Sequence, residues 1–248
     1  MLPKTFLHLP HIGQVREKLL WKAGIMSWDA LLERAEELPL PPSQRAELEL
    51  CTMHSMEALK LEDAAYFAHS LPPGEHWRGY NQFKQDALFL DIETTGLSPS
   101  TNCITVVGIF DGNGVHQFVK GDSLDGLYEL LEGCKLLLTF NGRRFDVPFL
   151  LAHVPGLELD CMHTDLLYLT QRLGIRGGLK SVEVQLGISR PEQVQGLTGY
   201  DAVRLWREHE RGVDGALETL LEYNAQDIIN LQTIMDVLHE RACKGLMR

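Results

Sequence analysis

Residues 87–97 read ALFLDIETTGL. Ala87, Leu88, Phe89 and Leu90 run without a polar break into Asp91 and Glu93, so 87–93 is expected as a buried strand. Side chains alternate along a strand, which puts Asp91 and Glu93 on one face. An apolar run on both faces belongs in the middle of a sheet. Two like charges there repel and raise each other's pKa unless a cation joins them. The bland alternative is a strand that ends in solvated acids. Thr94-Thr95-Gly96-Leu97 then forms a tight polar turn at the strand's C-terminal end, where open α/β sheets keep their ligands.

Working outward, CITVVGIF (103–110) is β-branched and GVHQFV (114–119) alternates. The DGNG between them is a hairpin signal. Residues 123–132 read as helix and KLLLTF (135–140) as another buried strand. Helical patterns follow over 143–152, 164–173, 179–186, 200–210 and 214–240. Three strands, a helix, a strand and then helices predict an α/β fold, a mixed sheet covered by helices on both faces. Upstream the chain reads as all-helical. Val15, Leu19, Leu20 and Ala23 recur at helical spacing, Ser27 caps a helix over 28–36, and further helices cover 43–58 and 61–70. LPPGEHWRGY (71–80) is turn-rich and is expected as a linker. The division is therefore 1–80, a helical region, and 81–248, the sheet domain.

The 248 residues carry a net charge of −11, which argues against a grip on nucleic acid by bulk positive field. Locally the balance differs: Lys4, Arg16, Lys18 and Lys22 face only Glu17 within residues 1–25. No apolar run approaches the ~20 residues of a membrane span. The opening MLPKTFLHLPHIG has Pro and His where a signal peptide needs unbroken apolar sequence. Five cysteines without a CxxC pair fit a reducing compartment, and a cytoplasmic location is expected.

Further acids follow at a distance. Asn141-Gly-Arg-Arg-Phe145-Asp146 comes after the 135–140 strand, with Asp146 opening a helix. As an isolated residue it would be a helix-start acid favoured by the dipole. Tyr223 and Asp227 share a helix face at i, i+4, alongside apolar Leu220 and Leu231. That is an expensive place for an unpaired acid.

Together, Asp91-x-Glu93-x-x-Gly96, Asn141-x-x-x-Phe145-Asp146 and Tyr223-x-x-x-Asp227 resemble the three exonuclease motifs of the DEDD superfamily. The tyrosine resembles the DEDDy branch, shared with family B polymerase proofreading domains. LKLEDAAYFAHSLPPGEHWR leading into LFLDIETTGL, with the later LKSVEVQLGI, resembles the YprB-like group of ribonuclease H-like exonuclease domains. The resemblance implies a ribonuclease H-like mixed sheet and a 3′–5′ exonuclease acting on DNA or RNA. It makes Asp91, Glu93, Asp146 and Asp227 ligands of two divalent cations, Mg²⁺ or Mn²⁺, and Tyr223 the group that positions the attacking water. Two ions about 4 Å apart activate water, stabilise the leaving alkoxide and neutralise phosphate, and oxygen ligands suit Mg²⁺ or Mn²⁺.

By the same resemblance, Thr94, Thr95, Gly96 and Leu97 receive the 3′-terminal nucleotide, and Asn141 and Phe145 lie on the substrate side. Core packing is the equal alternative for Phe145. Arg143 and Arg144 are natural phosphate contacts or a solvated helix start. His163 lies outside the context of a DEDDh base, Cys161-x-His163 lacks zinc partners, and Thr164 or Asp165 caps a helix. Residues 9–31 resemble a helix-hairpin-helix, with His11 in the place of its first glycine. Two rivals stand beside the exonuclease: a non-catalytic nucleic-acid-binding module on this scaffold, and an oligoribonuclease-like scavenger of short oligonucleotides. Neither a membrane nor a protein partner is indicated.

Overall fold

The computed structural model describes residues 1–246. Its N-terminal third is helical: α1 (Gln14–Lys22), α2 (Trp28–Glu33), α3 (Pro42–Lys60), α4 (Ala64–Ser70) and α5 (Tyr80–Phe83). The Ser27 hydroxyl accepts the Ala30 N–H at 3.2 Å, as its capping role requires, and Asp63 caps α4 in the same way. Then come β1 (Ala87–Thr94), β2 (Ile104–Phe110), β3 (Val115–Val119), α6 (Asp125–Glu132), β4 (Leu136–Thr139), α7 (Asp146–His153), β5 (Met162–Asp165), α8 (Leu166–Arg172), α9 (Leu179–Leu186), α10 (Gly199–Glu210) and α11 (Ala216–Leu246). No described helix is long and apolar enough to cross a membrane.

The five strands order as β3-β2-β1-β4-β5. β1, β2 and β3 are antiparallel neighbours, while β1, β4 and β5 run parallel. β1 is thus central, and both its faces are covered. Leu88, Leu90 and Ile92 pack with Leu127 of α6 and Phe149 and Leu150 of α7. Phe89 packs with Leu231, Ile234 and Leu238 of α11 on the other side. By alternation Asp91 and Glu93 share that second face with Phe89. At the β2–β3 turn the Asp111 carboxylate accepts the N–H groups of Asn113 and Gly114, so the hairpin signal forms as expected.

Two expectations need correction. Residues 162–165 form an edge strand, whereas helix was expected from 164. MHTD has no apolar run, and its pairing comes from β4: Leu136 opposite Met162 through Thr139 opposite Asp165. Asp165 ends that strand and caps α8, accepting the Leu167 N–H at 3.1 Å. The stretch 71–80 is not a solvated connector. Pro73–Gly79 forms a 3-10 helix with Glu75, His76, Trp77 and Arg78 buried. Arg78 bonds Glu17 and the Thr5 hydroxyl on one side and Glu75 on the other, and Glu75 also pairs with Arg172 of α8. Glu17, the one acid of residues 1–25, is therefore spent on a buried internal pair. One apolar core runs from Phe6, Trp28 and Phe67 through Phe83 to Leu238.

Candidate active site

β1 carries Asp91 and Glu93 to its C-terminal end, and α11 crosses that face with Tyr223 and Asp227. Asp91, Glu93 and Asp227 each offer a carboxylate oxygen, and these oxygens lie within 4.8 Å of one another. Asp146, the first residue of α7, lines the same cleft but stands outside that group of three. Its Oδ1 accepts the Ile92 N–H at 3.0 Å, which ties the start of α7 to β1. The cleft holds about 230 Å³.

The electrostatics are those of an over-charged pocket. Burial, then repulsion from Asp146, Asp227 and Glu93, raises the Asp91 carboxyl far above the usual carboxylate range. Glu93 is raised in the same way, by burial and then by Asp227. Burial lifts Asp146 to about 7. The Glu93 Oε1 is buried with no hydrogen-bond partner among the described residues. A buried orphaned carboxylate oxygen within reach of two others is the donor set of a hard divalent cation. The residues present fit such an ion.

Two cations already balance Asp227. The Lys180 ammonium, on the first turn of α9, donates to both Asp227 oxygens at 3.0 Å and to the Tyr223 hydroxyl at 2.5 Å. Arg190 also bonds Asp227 and is locked to Glu183 by Nε at 2.7 Å. The Arg190 side chain is nearly fully buried, whereas that of Lys180 is 37% exposed, so lysine is the member open to solvent. The Tyr223 hydroxyl is pushed above its ordinary range by burial and by the neighbouring Asp227, Glu93 and Asp91.

Asn224 is a further participant. It is fully buried and donates to the Asp91 carbonyl and carboxylate at 3.4 and 3.3 Å, while accepting from Gln117 at 3.0 Å. It reaches Asp91 because Gly108 sits opposite Asp91 in β2: a Cβ there would stand 1.9 Å from the Asn224 Oδ1. Lys180, Arg190, Glu183 and Asn224 were not singled out from the sequence. One usable signal existed, a glycine inside a β-branched strand, which marks close backbone approach.

The structure brings together most of the residues expected at the substrate side. Thr94, Gly96, Leu97, Asn141 and Phe145 line the cleft, and Leu97 is 85% exposed at its edge. A Cβ at Gly96 would stand 2.4 Å from the Asn102 Oδ1, so a side chain there would displace the Asn102 amide. Thr95 does not line the cleft; its hydroxyl accepts the Cys103 N–H at 3.1 Å. Asn141 takes φ of 66°, and its N–H is held by Asp165 at 2.8 Å. Arg143 donates to the Pro73 and His163 carbonyls and Arg144 lies over Tyr168, so neither faces the carboxylates. His163 also stays outside, its ring bonded to Thr139 at 2.8 Å and its pKa lowered to about 3 by burial. His11 takes φ of 64°, a backbone form that suits the glycine of a hairpin, and pairs with Glu47.

No curated protein matches the chain. Among solved structures, NrnC from Brucella melitensis with bound Mg²⁺ is 21% identical with a TM-score of 0.48, over 67% of this chain and 78% of that one. The same protein bound to pGG is 22% identical with a TM-score of 0.48, over 68% and 79%. The family B DNA polymerase from Pyrobaculum calidifontis is 16% identical with a TM-score of 0.49, over 61% of this chain and 24% of that one. Residues 88–239, more than half of the sequence, match the RNase_H_2 family of the RNase_H superfamily. That span holds β2 to β5, all of β1 except Ala87, the four acids and Tyr223, and the chain belongs to this family.

Proposed function

We propose that the protein is a metal-dependent nuclease, a 3′–5′ exonuclease of the DEDDy type that hydrolyses phosphodiester bonds of DNA or RNA in the cytoplasm. The observation that carries this reading is the convergence of Asp91, Glu93 and Asp227 within 4.8 Å, with Asp146 in the same cleft. In it these four acids hold two divalent cations, Mg²⁺ or Mn²⁺, which supply an activated water and a neutralised phosphate when bound. The activity is assigned to residues 81–248, with 1–80 as a helical accessory region.

The chain's own groups divide the remaining work. Asn224 fixes the Asp91 carboxylate from below, and Arg190 fixes Asp227. The Tyr223 hydroxyl orients the attacking water; held above its ordinary pKa, it stays protonated and does not act as a base. Thr94, Gly96 and Leu97 seat the 3′-terminal nucleotide, with Leu97 against the base and Asn141 and Phe145 opposite. Thr95 supports that turn from behind. The test is release of 5′-mononucleotides from single-stranded DNA and RNA with Mg²⁺ or Mn²⁺. Lack of hydrolysis of either polymer, with retained binding, would favour a non-catalytic module. Hydrolysis confined to two- to four-residue substrates would favour a scavenger.

A further inference from the structure

A cavity larger than the carboxylate cleft lies outside it. It lies one strand further out, at the C-terminal end of β5, and holds about 470 Å³ against about 230 Å³ for the cleft. The Asn141–Phe145 turn separates the two: Asn141 and Phe145 line the cleft, and Arg143 lines the outer cavity. Strand ends of a parallel sheet are where ligands collect, and this volume falls in the range of about 300–1,000 Å³ typical of small-molecule sites.

The walls have a specific chemistry. Arg143 uses Nη2 on two backbone carbonyls, and Arg172 uses Nη1 on Glu75. The other guanidinium nitrogens of both have no partner among the described residues. The nearby acids are already satisfied. Asp165 accepts the N–H groups of Asn141, Arg143 and Leu167, and Glu75 is shared between Arg78 and Arg172. The free hydrogen-bonding capacity is therefore donor capacity: the Nε/Nη2 fork of Arg172 and the separate Nε and Nη1 donors of Arg143, groups that suit an anion. The Tyr168 ring is 39% exposed on the same wall, with the Arg144 guanidinium 5.9 Å from its centroid. Two further wall residues, Trp77 and Thr164, are almost fully buried and close the cavity from the inside. Donors for an anion and an exposed aromatic face in one cavity suit a ligand with both a phosphate and a flat ring.

We propose that the cavity at the end of β5 is a second nucleotide site, which takes a nucleoside phosphate on Arg143 and Arg172 and its base against Tyr168. The site needs no hydrolysis at the carboxylate cleft and stands whether or not the cleft is catalytic. The phosphate and base belong either to a free mononucleotide or to a neighbouring unit of a strand.

The experiment is isothermal titration calorimetry in EDTA with 5′-AMP, adenosine, inorganic phosphate and a 5′-phosphorylated tetranucleotide. Wild type and Asp91→Ala are expected to bind 5′-AMP equally, and at least tenfold more tightly than adenosine or phosphate. Arg172→Ala and Tyr168→Ala, both at partly exposed positions, are expected to weaken 5′-AMP at least tenfold; Tyr168→Ala keeps the wild-type Tm, whereas Arg172→Ala also loses its pair with the buried Glu75 and melts lower while remaining folded at the titration temperature. Tighter binding of the tetranucleotide than of 5′-AMP, lost in Arg172→Ala, identifies the occupant as part of a strand. Equal or weaker binding of the tetranucleotide identifies a mononucleotide site. The proposal is overturned if wild type shows no 5′-AMP binding at millimolar concentration, or if binding survives both substitutions. It is equally overturned if Asp91→Ala abolishes binding, or if phosphate alone binds as well as 5′-AMP.

Discussion

The Lys180 ammonium lies 2.5 Å from the Tyr223 hydroxyl and 3.0 Å from both oxygens of Asp227. Its charge sits where divalent cations are proposed to bind, and it opposes the rise in the Asp91 and Glu93 carboxyls that burial and then the neighbouring acids cause. Lys180→Met is therefore expected to lower the metal-free Tm at pH 8, because it leaves four crowded carboxyls with less compensation. The difference is expected to shrink when Mn²⁺ is added. A Tm difference that Mn²⁺ leaves unchanged would mean that Lys180 and the ion do not share the site.

Tyr223→Phe keeps the ring and its packing and deletes only the hydroxyl. Single-turnover hydrolysis of a short 3′-ended oligonucleotide is expected to slow about 10²-fold, the low end for a positioning or acid–base group. Mn²⁺ affinity is expected to change little, since the lost contact belongs to the transition state. An unchanged single-turnover rate would remove Tyr223 from the catalytic groups.

The acid cluster makes a pH-dependent prediction. The folded-state pKa of Asp91 is raised by burial and by its acidic neighbours, so keeping the group ionised costs stability. That cost is absent where Asp91 is protonated in both states, below the ordinary aspartate range, and grows as pH rises toward the folded pKa. Metal-free Asp91→Asn is thus expected to melt above wild type at pH 8, with the advantage fading toward pH 4. Mg²⁺ or Mn²⁺ should raise the wild-type Tm and leave the variant nearly unmoved. Equal melting of the two proteins at pH 8 in EDTA would contradict the repulsion.

Gly108 and Asn224 form a linked pair. Gly108→Ala forces a Cβ into the Asn224 amide and is expected to cost about 1–3 kcal/mol, the usual range for overpacking. Asn224→Ala vacates that space, so the double variant is expected to regain most of the stability lost in Gly108→Ala while remaining impaired in activity. Chemical denaturation of all four proteins gives the coupling. Strictly additive losses would show that the two residues do not meet.

At the base of the fold, Arg78 is buried between Glu17 and Glu75. Arg78→Leu leaves those carboxylates facing an apolar side chain and is expected to cost about 3–5 kcal/mol in urea unfolding. A loss below about 1 kcal/mol, the scale of a surface pair, would contradict the burial.

What could be read from the sequence divides along physical lines. β1, β2, β4 and the long α11 announce themselves because their apolar runs are dictated by burial on both faces or along one stripe. Asp91, Glu93, Asp146 and Asp227 stand out because charge in such runs needs a reason. β5 has no such signature: its four residues, MHTD, are strand only because β4 offers an edge. The 71–80 segment has the composition of a turn, and its burial depends on Glu17 pairing with Arg78 across 61 positions. Lys180 and Arg190 look like surface cations until α9 and the turn after it fold against Asp227. Thr95 shows the limit of motif reading: Thr94, Gly96 and Leu97 line the cleft, while Thr95 between them bonds the Cys103 N–H instead.

The central claim, that the four carboxylates form a 3′-end-directed hydrolytic site, is tested most directly by one product analysis. Wild type, Asp91→Ala and Asp227→Ala are incubated with Mn²⁺ and a single-stranded oligonucleotide, DNA or RNA, labelled in parallel at its 5′ and 3′ ends. The account predicts a ladder shortening one nucleotide at a time from the 5′-labelled strand, immediate release of labelled 5′-mononucleotide from the 3′-labelled strand, and neither product from the folded variants. Hydrolysis that persists in both variants, or internal cuts without mononucleotide release, would contradict it.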